Sequence, residues 1–169
     1  MLNNFIQLID EPNRSACIAM YNDHKERFDA APGSLTKHQA WTGGYIHHLE
    51  ETMDIGAGLY KMMDNFRQLD FTLSDVMLIL FLHDLEKPFR YVEPKQEFHF
   101  EEEKKKFIDS MVHKYGIVLT DNHKNALTYI HGEGNEHNPT ERIQKPLAAF
   151  VHICDVASAR IWFDFPKRV

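Results

Sequence analysis

A chain of 169 residues, 43% hydrophobic and 26% charged, has the length of one ordinary domain and excludes a disordered or collagen-like polymer. The formal net charge of −6 argues against an extended nucleic acid as partner, while a small anion held by a few local cations stays compatible with it. Residues 1–10 do not read as a secretory leader, and the longest apolar run, residues 76–82, falls far short of the roughly 18 residues that span a bilayer.

In chain order, a first helix is expected over residues 2–9, broken at Pro12 and resuming over 13–29 until Ala31-Pro32-Gly33-Ser34 ends it. A long helix is expected over 41–69. After a connection at 70–73, Thr72 or Ser74 caps a helix that reaches Glu86, and Pro88 stops it because the residue before a proline avoids the helical region. Residues 90–96, with Pro94, read as loop. Helix returns over 100–115, supported by Glu101/Lys105 and Glu102/Lys106 at i,i+4. Another runs over 121–131 and closes at Gly132, a natural left-handed residue after a helix. A polar loop follows over 133–140, then a last helix from Pro146 to Phe163. Strand-period alternation is nearly absent and no repeat or linker divides the chain. The expectation is all-α, a compact bundle of five to seven helices forming a single domain over residues 1–169.

Eleven histidines stand against two cysteines, Cys17 and Cys154. Two are too few for a disulfide framework, so a reducing, cytoplasmic setting is expected. The histidine excess directs attention to metal chemistry with nitrogen and oxygen ligands. Helical spacing places His48 on one face with Trp41, Tyr45, Thr52, Ile55, Leu59 and Met62, while His47 falls with Glu50, Glu51 and Asp54. The helix ending in His83-Asp84 is apolar all round, as a buried central helix would be. Asp155 shares a stripe with Ala148, Val151, Ala159 and Trp162. An unpaired carboxylate buried there costs several kcal/mol, so it needs a cation or a strong donor. Arg142 or Arg160 is one answer, and the histidines are equally readable as hydrogen-bonded core residues. A metal ion shared by His48, His83, Asp84 and Asp155 is the other.

These residues resemble a known family. The series His48, His83-Asp84, Asp155 is similar to the H…HD…D signature of the HD-domain metal-dependent phosphohydrolases. Lys37-His38 with Gly43-Gly44-Tyr45-Ile46-His47-His48 is similar to the family's His, double glycine and first ligand. Phe81-Leu82-His83-Asp84-Leu85-Glu86-Lys87 resembles its LHDxxK element, and the segment from Asp155 to Arg160 its closing helix. The motif-bearing part covers about residues 36–163.

The resemblance implies that His48, His83, Asp84 and Asp155 ligate one divalent ion, with Mn, Fe, Co, Ni and Zn all suited to two imidazoles and two carboxylates. It implies hydrolysis of a phosphate ester or anhydride of a small substrate, most plausibly a nucleotide, by metal-activated water. Asp84, Lys87 and His131 would be catalytic, with His38, Lys87 and Arg90 on the substrate. His131 matches a second-metal position in some members, but His99, Glu102, His113 and His123 compete for the other, so a second ion stays open. Trp41, Tyr45, Phe89 and Tyr91 are candidates for stacking a base, or core. The alternatives are a di-iron oxygenase on the same scaffold and a nucleotide-binding module without turnover.

Overall fold

The computed structural model describes residues 2–162 and is all-α: nine α-helices, one 3-10 helix and no strand among the described residues. The chain runs through α1 (Leu2–Ile6), α2 (Asn13–Asp23), α3 (Lys25–Ala30), α4 (Gly44–Phe66), α5 (Leu73–Leu82), α6 (Lys87–Tyr91), α7 (Glu101–Tyr115), α8 (Asp121–Tyr129) and α9 (Pro146–Ile161). Three of these, α1, α3 and α6, are only one or two turns long. Helix α1 is among those expected; α3, which divides from α2, and α6 account for the excess over the five to seven helices expected from the sequence.

The architecture follows from α5. Every residue from Val76 to Leu82 is buried, so this helix has no polar face to turn outward and must be covered on all sides. Helices α1, α4, α8 and α9 pack around it. At the α4–α5 crossing a Cβ on Gly56 would lie 2.9 Å from Leu80 Cδ1 and 3.2 Å from Val76 Cγ1, so any larger residue would oblige those side chains to shift. On the other flank Phe28 packs edge-on to Tyr45, with ring centroids 5.2 Å apart, and lies beside Phe81 at 6.3 Å. That aromatic cluster fastens α3 to α4 and α5. The thiols of Cys17 and Cys154 are free and buried, which pushes both up to about 12. No helix among the described residues is long and apolar enough to cross a membrane.

Several boundaries differ from expectation for local reasons. The helix expected over 13–29 divides at His24, whose backbone leaves the helical region (φ −119°, ψ 16°) and whose ring meets Tyr115 Oη at 3.0 Å and the edge of Phe89. Helix α4 begins at Gly44 rather than at residue 41, because Gly43 takes a left-handed conformation (φ 79°); Trp41 therefore lies in the preceding loop. Helix α5 ends at Leu82, before Glu86. Pro88 does not stop a helix but sits in the first turn of α6, where its missing N–H costs nothing. Helix α8 ends at Tyr129 and the 3-10 turn Gly134–Glu136 interrupts the following loop, while Gly132 is left-handed as expected (φ 94°). Phe163, the expected end of the last helix, lies outside the described residues.

Of the two caps considered for α5, the structure uses Thr72. Its Oγ1 accepts from Asp75 N–H at 3.1 Å, and Asp75 Oδ2 accepts from Thr72 N–H at 2.7 Å. Asp75 Oδ1 also takes His123 Nε2–H at 2.7 Å. Thr120 N–H donates to His123 Nδ1, which fixes that tautomer and ties α8 to α5. Burial opposes the charge of Asp75, but its bonds from Thr72 and His123 prevail and hold the carboxyl below its ordinary value. Asp75→Ala is expected to cost about 1–2 kcal/mol in urea unfolding at neutral pH, the scale of a lost cap. The wild-type advantage should be complete above the unfolded carboxyl value of about 4 and fade as pH falls through the lower folded value. An equal gap between the two proteins at every pH would contradict this.

Candidate metal centre

The centre forms where three helices meet. His48 lies in the second turn of α4, His83 and Asp84 follow the last residue of α5, and Asp155 is midway along α9. Because α5 is buried from Val76 to Leu82, its C-terminal end delivers the polar pair His83-Asp84 into the interior rather than to the surface. One ligand atom from each of the four residues lies within 4.8 Å of the others. His48 Nε2 is 3.2 Å from His83 Nε2, 3.4 Å from Asp84 Oδ2 and 3.2 Å from Asp155 Oδ1. His83 Nε2 is 3.2 Å from Asp84 Oδ2 and 3.7 Å from Asp155 Oδ1.

Hydrogen bonds behind the rings decide what faces inward. His83 Nδ1 is 2.7 Å from the carbonyl oxygen of Leu80, which can only accept, so Nδ1 carries a proton. Ser158 donates its hydroxyl proton to Glu51 Oε2 at 2.7 Å, so its oxygen accepts from His48 Nδ1–H at 2.9 Å. In their neutral forms both imidazoles then turn an Nε2 lone pair inward, and two lone pairs 3.2 Å apart between two carboxylates attract nothing but a cation. A buried metal ion would satisfy all four groups, and the N₂O₂ donor set suits a divalent first-row metal.

Without such an ion a proton must serve. Burial disfavours charge on His83, but Asp84 and Asp155 outweigh it and push the ring up to about 10. Asp84 is held well below the usual carboxylate range against the cost of its burial, chiefly by Lys87 and His83; hydrogen bonds from His48 and His83 hold Asp155 down likewise. Lys87 Nζ sits 2.5 Å from Asp84 Oδ2, and that contact keeps the ammonium charged despite burial.

A second layer steadies the first. Gln39 Nε2 donates to Glu51 Oε2 at 2.6 Å and to Ser158 Oγ at 3.2 Å, so the amide, carboxylate and hydroxyl form one network behind His48. Gln39 Oε1 accepts from His38 Nδ1–H at 2.7 Å, and the His38 ring lies 4.8 Å from that of His48. Burial, with His48 and Lys87 adding to it, lowers His38 to about 4, so it is a neutral ring at physiological pH. The double glycine makes this geometry accessible. Gln39 is itself left-handed (φ 42°), and a Cβ on Gly44 would lie 1.8 Å from its carbonyl oxygen.

The structure thus gathers His48, His83, Asp84, Asp155 and Lys87, with His38 alongside. His131 stands at the rim, 62% exposed, its Nε2 3.9 Å from Asp84 Oδ1 and 3.8 Å from Asp155 Oδ2, the outer oxygens of the two carboxylates. The ionic partners of Asp155 are these three histidines, not Arg142 or Arg160. Arg90 lies over the ring of Tyr91, Trp41 donates to His47, and Tyr45 is enclosed in the core. Phe89 packs against His24 and Phe107. Of the contenders for a second-metal ligand, His99 pairs with Glu97, His123 with Asp75, and Glu102 and His113 are exposed on α7. Sequence reasoning missed Gln39, Glu51, Ser158 and the buried Glu86, which burial and Asp84 push up to about 7. Ser158 follows Asp155 by three residues, one turn along the same face, and that spacing was the available signal; Glu51, expected with His47 on the polar face of α4, instead reaches Ser158.

Comparison with family models, curated proteins and solved structures yields no match.

In metal-free protein His83 contributes stability that is complete below its unfolded value, about 6.5, and is lost as pH rises towards its folded value of about 10. Urea unfolding of chelator-treated protein should show this decline. His83→Gln should remove it, and an unchanged slope in that variant would assign the effect elsewhere.

Proposed function

We propose that the chain is a metal-dependent phosphohydrolase of the HD-domain type, acting on a phosphate ester or anhydride of a small molecule, with a nucleotide as the favoured substrate class. The observation that carries this reading is the pair of inward-facing imidazole lone pairs 3.2 Å apart, flanked by two buried carboxylates and a lysine. Spacing, order and helical placement of these residues agree with the resemblance set out above. One gathered set of four ligands favours a single ion over a two-metal centre, and with it hydrolysis over di-iron chemistry.

His48, His83, Asp84 and Asp155 would hold the ion. When bound, it would polarise a phosphoryl oxygen and lower the pKa of a water molecule. The remaining work falls to this chain's own side chains. Lys87, charged and anchored on Asp84, sets a fixed positive charge beside the reacting group without having to be ordered at the moment of reaction. His131 reaches the centre from the solvent side; burial lowers its ring from the ordinary value, so only the fraction that carries a proton would donate to a departing alkoxide. His38 offers a neutral Nε2, a hydrogen-bond acceptor for a substrate hydroxyl or a water molecule.

The test is a panel of phosphorylated metabolites incubated with each of several divalent metals, read by released phosphate. Turnover that disappears on chelation and returns with metal is expected; absence of turnover across the panel by metal-replete protein overturns the reading. Asp84→Ala should abolish bound metal and hydrolysis together. Ser158→Ala should weaken metal binding about 10- to 100-fold in a chelator competition, the usual effect of removing a partner behind a ligand. His131→Ala should slow hydrolysis by roughly 100-fold or more for alkyl phosphates and far less for p-nitrophenyl phosphate, whose leaving group needs no proton.

A further inference from the structure

Behind the metal centre Glu51, Gln39, Ser158, His48 and His38 form one hydrogen-bonded network, and its direction is set at a single residue. Glu51, half-buried on α4, is the member with no proton to give, because a carboxylate can only accept. Its Oε2 takes two bonds, from Gln39 Nε2 at 2.6 Å and from Ser158 Oγ at 2.7 Å. Each donor is thereby turned, and each passes the choice to a different histidine.

Along one arm Ser158 has a single proton. Committed to Glu51, it leaves the hydroxyl oxygen to accept, and His48 Nδ1 at 2.9 Å must be the donor. Gln39 Nε2 at 3.2 Å fills the second lone pair, so the hydroxyl has no capacity left. Along the other arm the Gln39 amide has two ways to turn. Its Oε1 set against the carboxylate would bring two acceptors face to face, so Nε2 takes that place and Oε1 is left for His38. His38 Nδ1, 2.7 Å from that oxygen, must then carry the proton. The backbone is committed to the same arrangement: Gln39 is buried and left-handed (φ 42°), a conformation that a residue with a side chain keeps only where its surroundings over-determine it.

We propose that Glu51 is a positioning residue that sets the tautomers of two histidines at once, the ligand His48 through Ser158 and its neighbour His38 through Gln39, so that each keeps a bare Nε2. The inference deepens the metal-centre reading and rests on it for the use of the two lone pairs. That of His48 is kept for the ion. That of His38 makes the ring an acceptor, which takes a hydroxyl or a water molecule and turns away a phosphoryl oxygen. A proton on that nitrogen would reverse the preference.

Long-range proton–nitrogen spectra of the imidazoles, recorded on metal-free protein at neutral pH, read the tautomer directly. Wild-type His38 should show a protonated Nδ1 and a bare Nε2. Glu51→Met removes the acceptor, frees the Ser158 hydroxyl and the Gln39 amide to turn, and should bring the Nε2–H form of His38 to a comparable population. Glu51→Gln keeps an oxygen for both donors and should hold the wild-type tautomer. Ser158→Ala cuts only the arm to His48 and should leave His38 unmoved, a test that stands even where Glu51→Met fails to fold. His38 wholly in the Nδ1–H form in folded Glu51→Met protein overturns the proposal. So does loss of that form in Ser158→Ala, or a loss in Glu51→Gln as complete as in Glu51→Met. In a chelator competition with Zn²⁺, Glu51→Met should weaken binding about tenfold and Glu51→Gln far less; equal affinity of Glu51→Met and wild type also overturns it. Neither readout involves a substrate. Wild-type protein that binds no Zn²⁺ sinks the metal reading, and the His38 spectra alone then decide this one.

Discussion

Four acceptors aimed at one point with no donor among them is the constraint around which the rest of the structure is arranged. His48 and His83 cannot hydrogen-bond to one another in their neutral forms, because the proton of each is committed outward, to Ser158 and to the Leu80 carbonyl. Asp84 and Asp155 add negative charge at 5% and 12% side-chain exposure. Buried like charges repel strongly in a medium of low polarisability, so the fold depends on a positive charge at the centre. Lys87 provides part of it. A proton on the imidazoles or a metal ion must provide the rest, and the ion alone satisfies all four ligands without disturbing the bonds behind them.

The surroundings explain how so polar a group is tolerated inside. Past its first turn helix α5 is buried and hydrophobic enough to be held there by its own packing, and the polar pair rides on its end. Helices α4 and α9 bring one ligand each, and the same two helices supply the Glu51–Ser158 bond that braces His48. The contacts that brace the centre are therefore also contacts that join the helices. Gly44 illustrates this most directly. Its missing side chain admits the carbonyl of Gln39, whose amide then reaches Glu51, Ser158 and His38 at once.

The centre is asymmetric in its access. Lys87, His48 and His83 close the inner side, while His131 stands exposed at the rim. The inner side is fixed by packing and by bonds to backbone. The outer side is a loop held by its own polar groups, Glu133 with His137 and the Gln144 backbone.

Much of the centre was legible from residue order alone. Periodicity on α4 and α9 turns His48 and Asp155 inward, and an apolar helix ending in His83-Asp84 has to be central, because side-chain direction on a regular helix depends only on spacing. The all-α class and the left-handed Gly132 were legible for the same local reason. Tertiary structure alone decided the rest. Whether Asp155 meets an arginine or a pair of histidines depends on how α9 rotates against α4 and α5, which no local rule contains. Pro88 opens a helix instead of ending one because the chain turns before it reaches the proline. Gln39 joins the site through a left-handed backbone that only its contact with Gly44 explains. Contacts between residues distant in sequence have no signature in spacing; they exist only once the helices have packed.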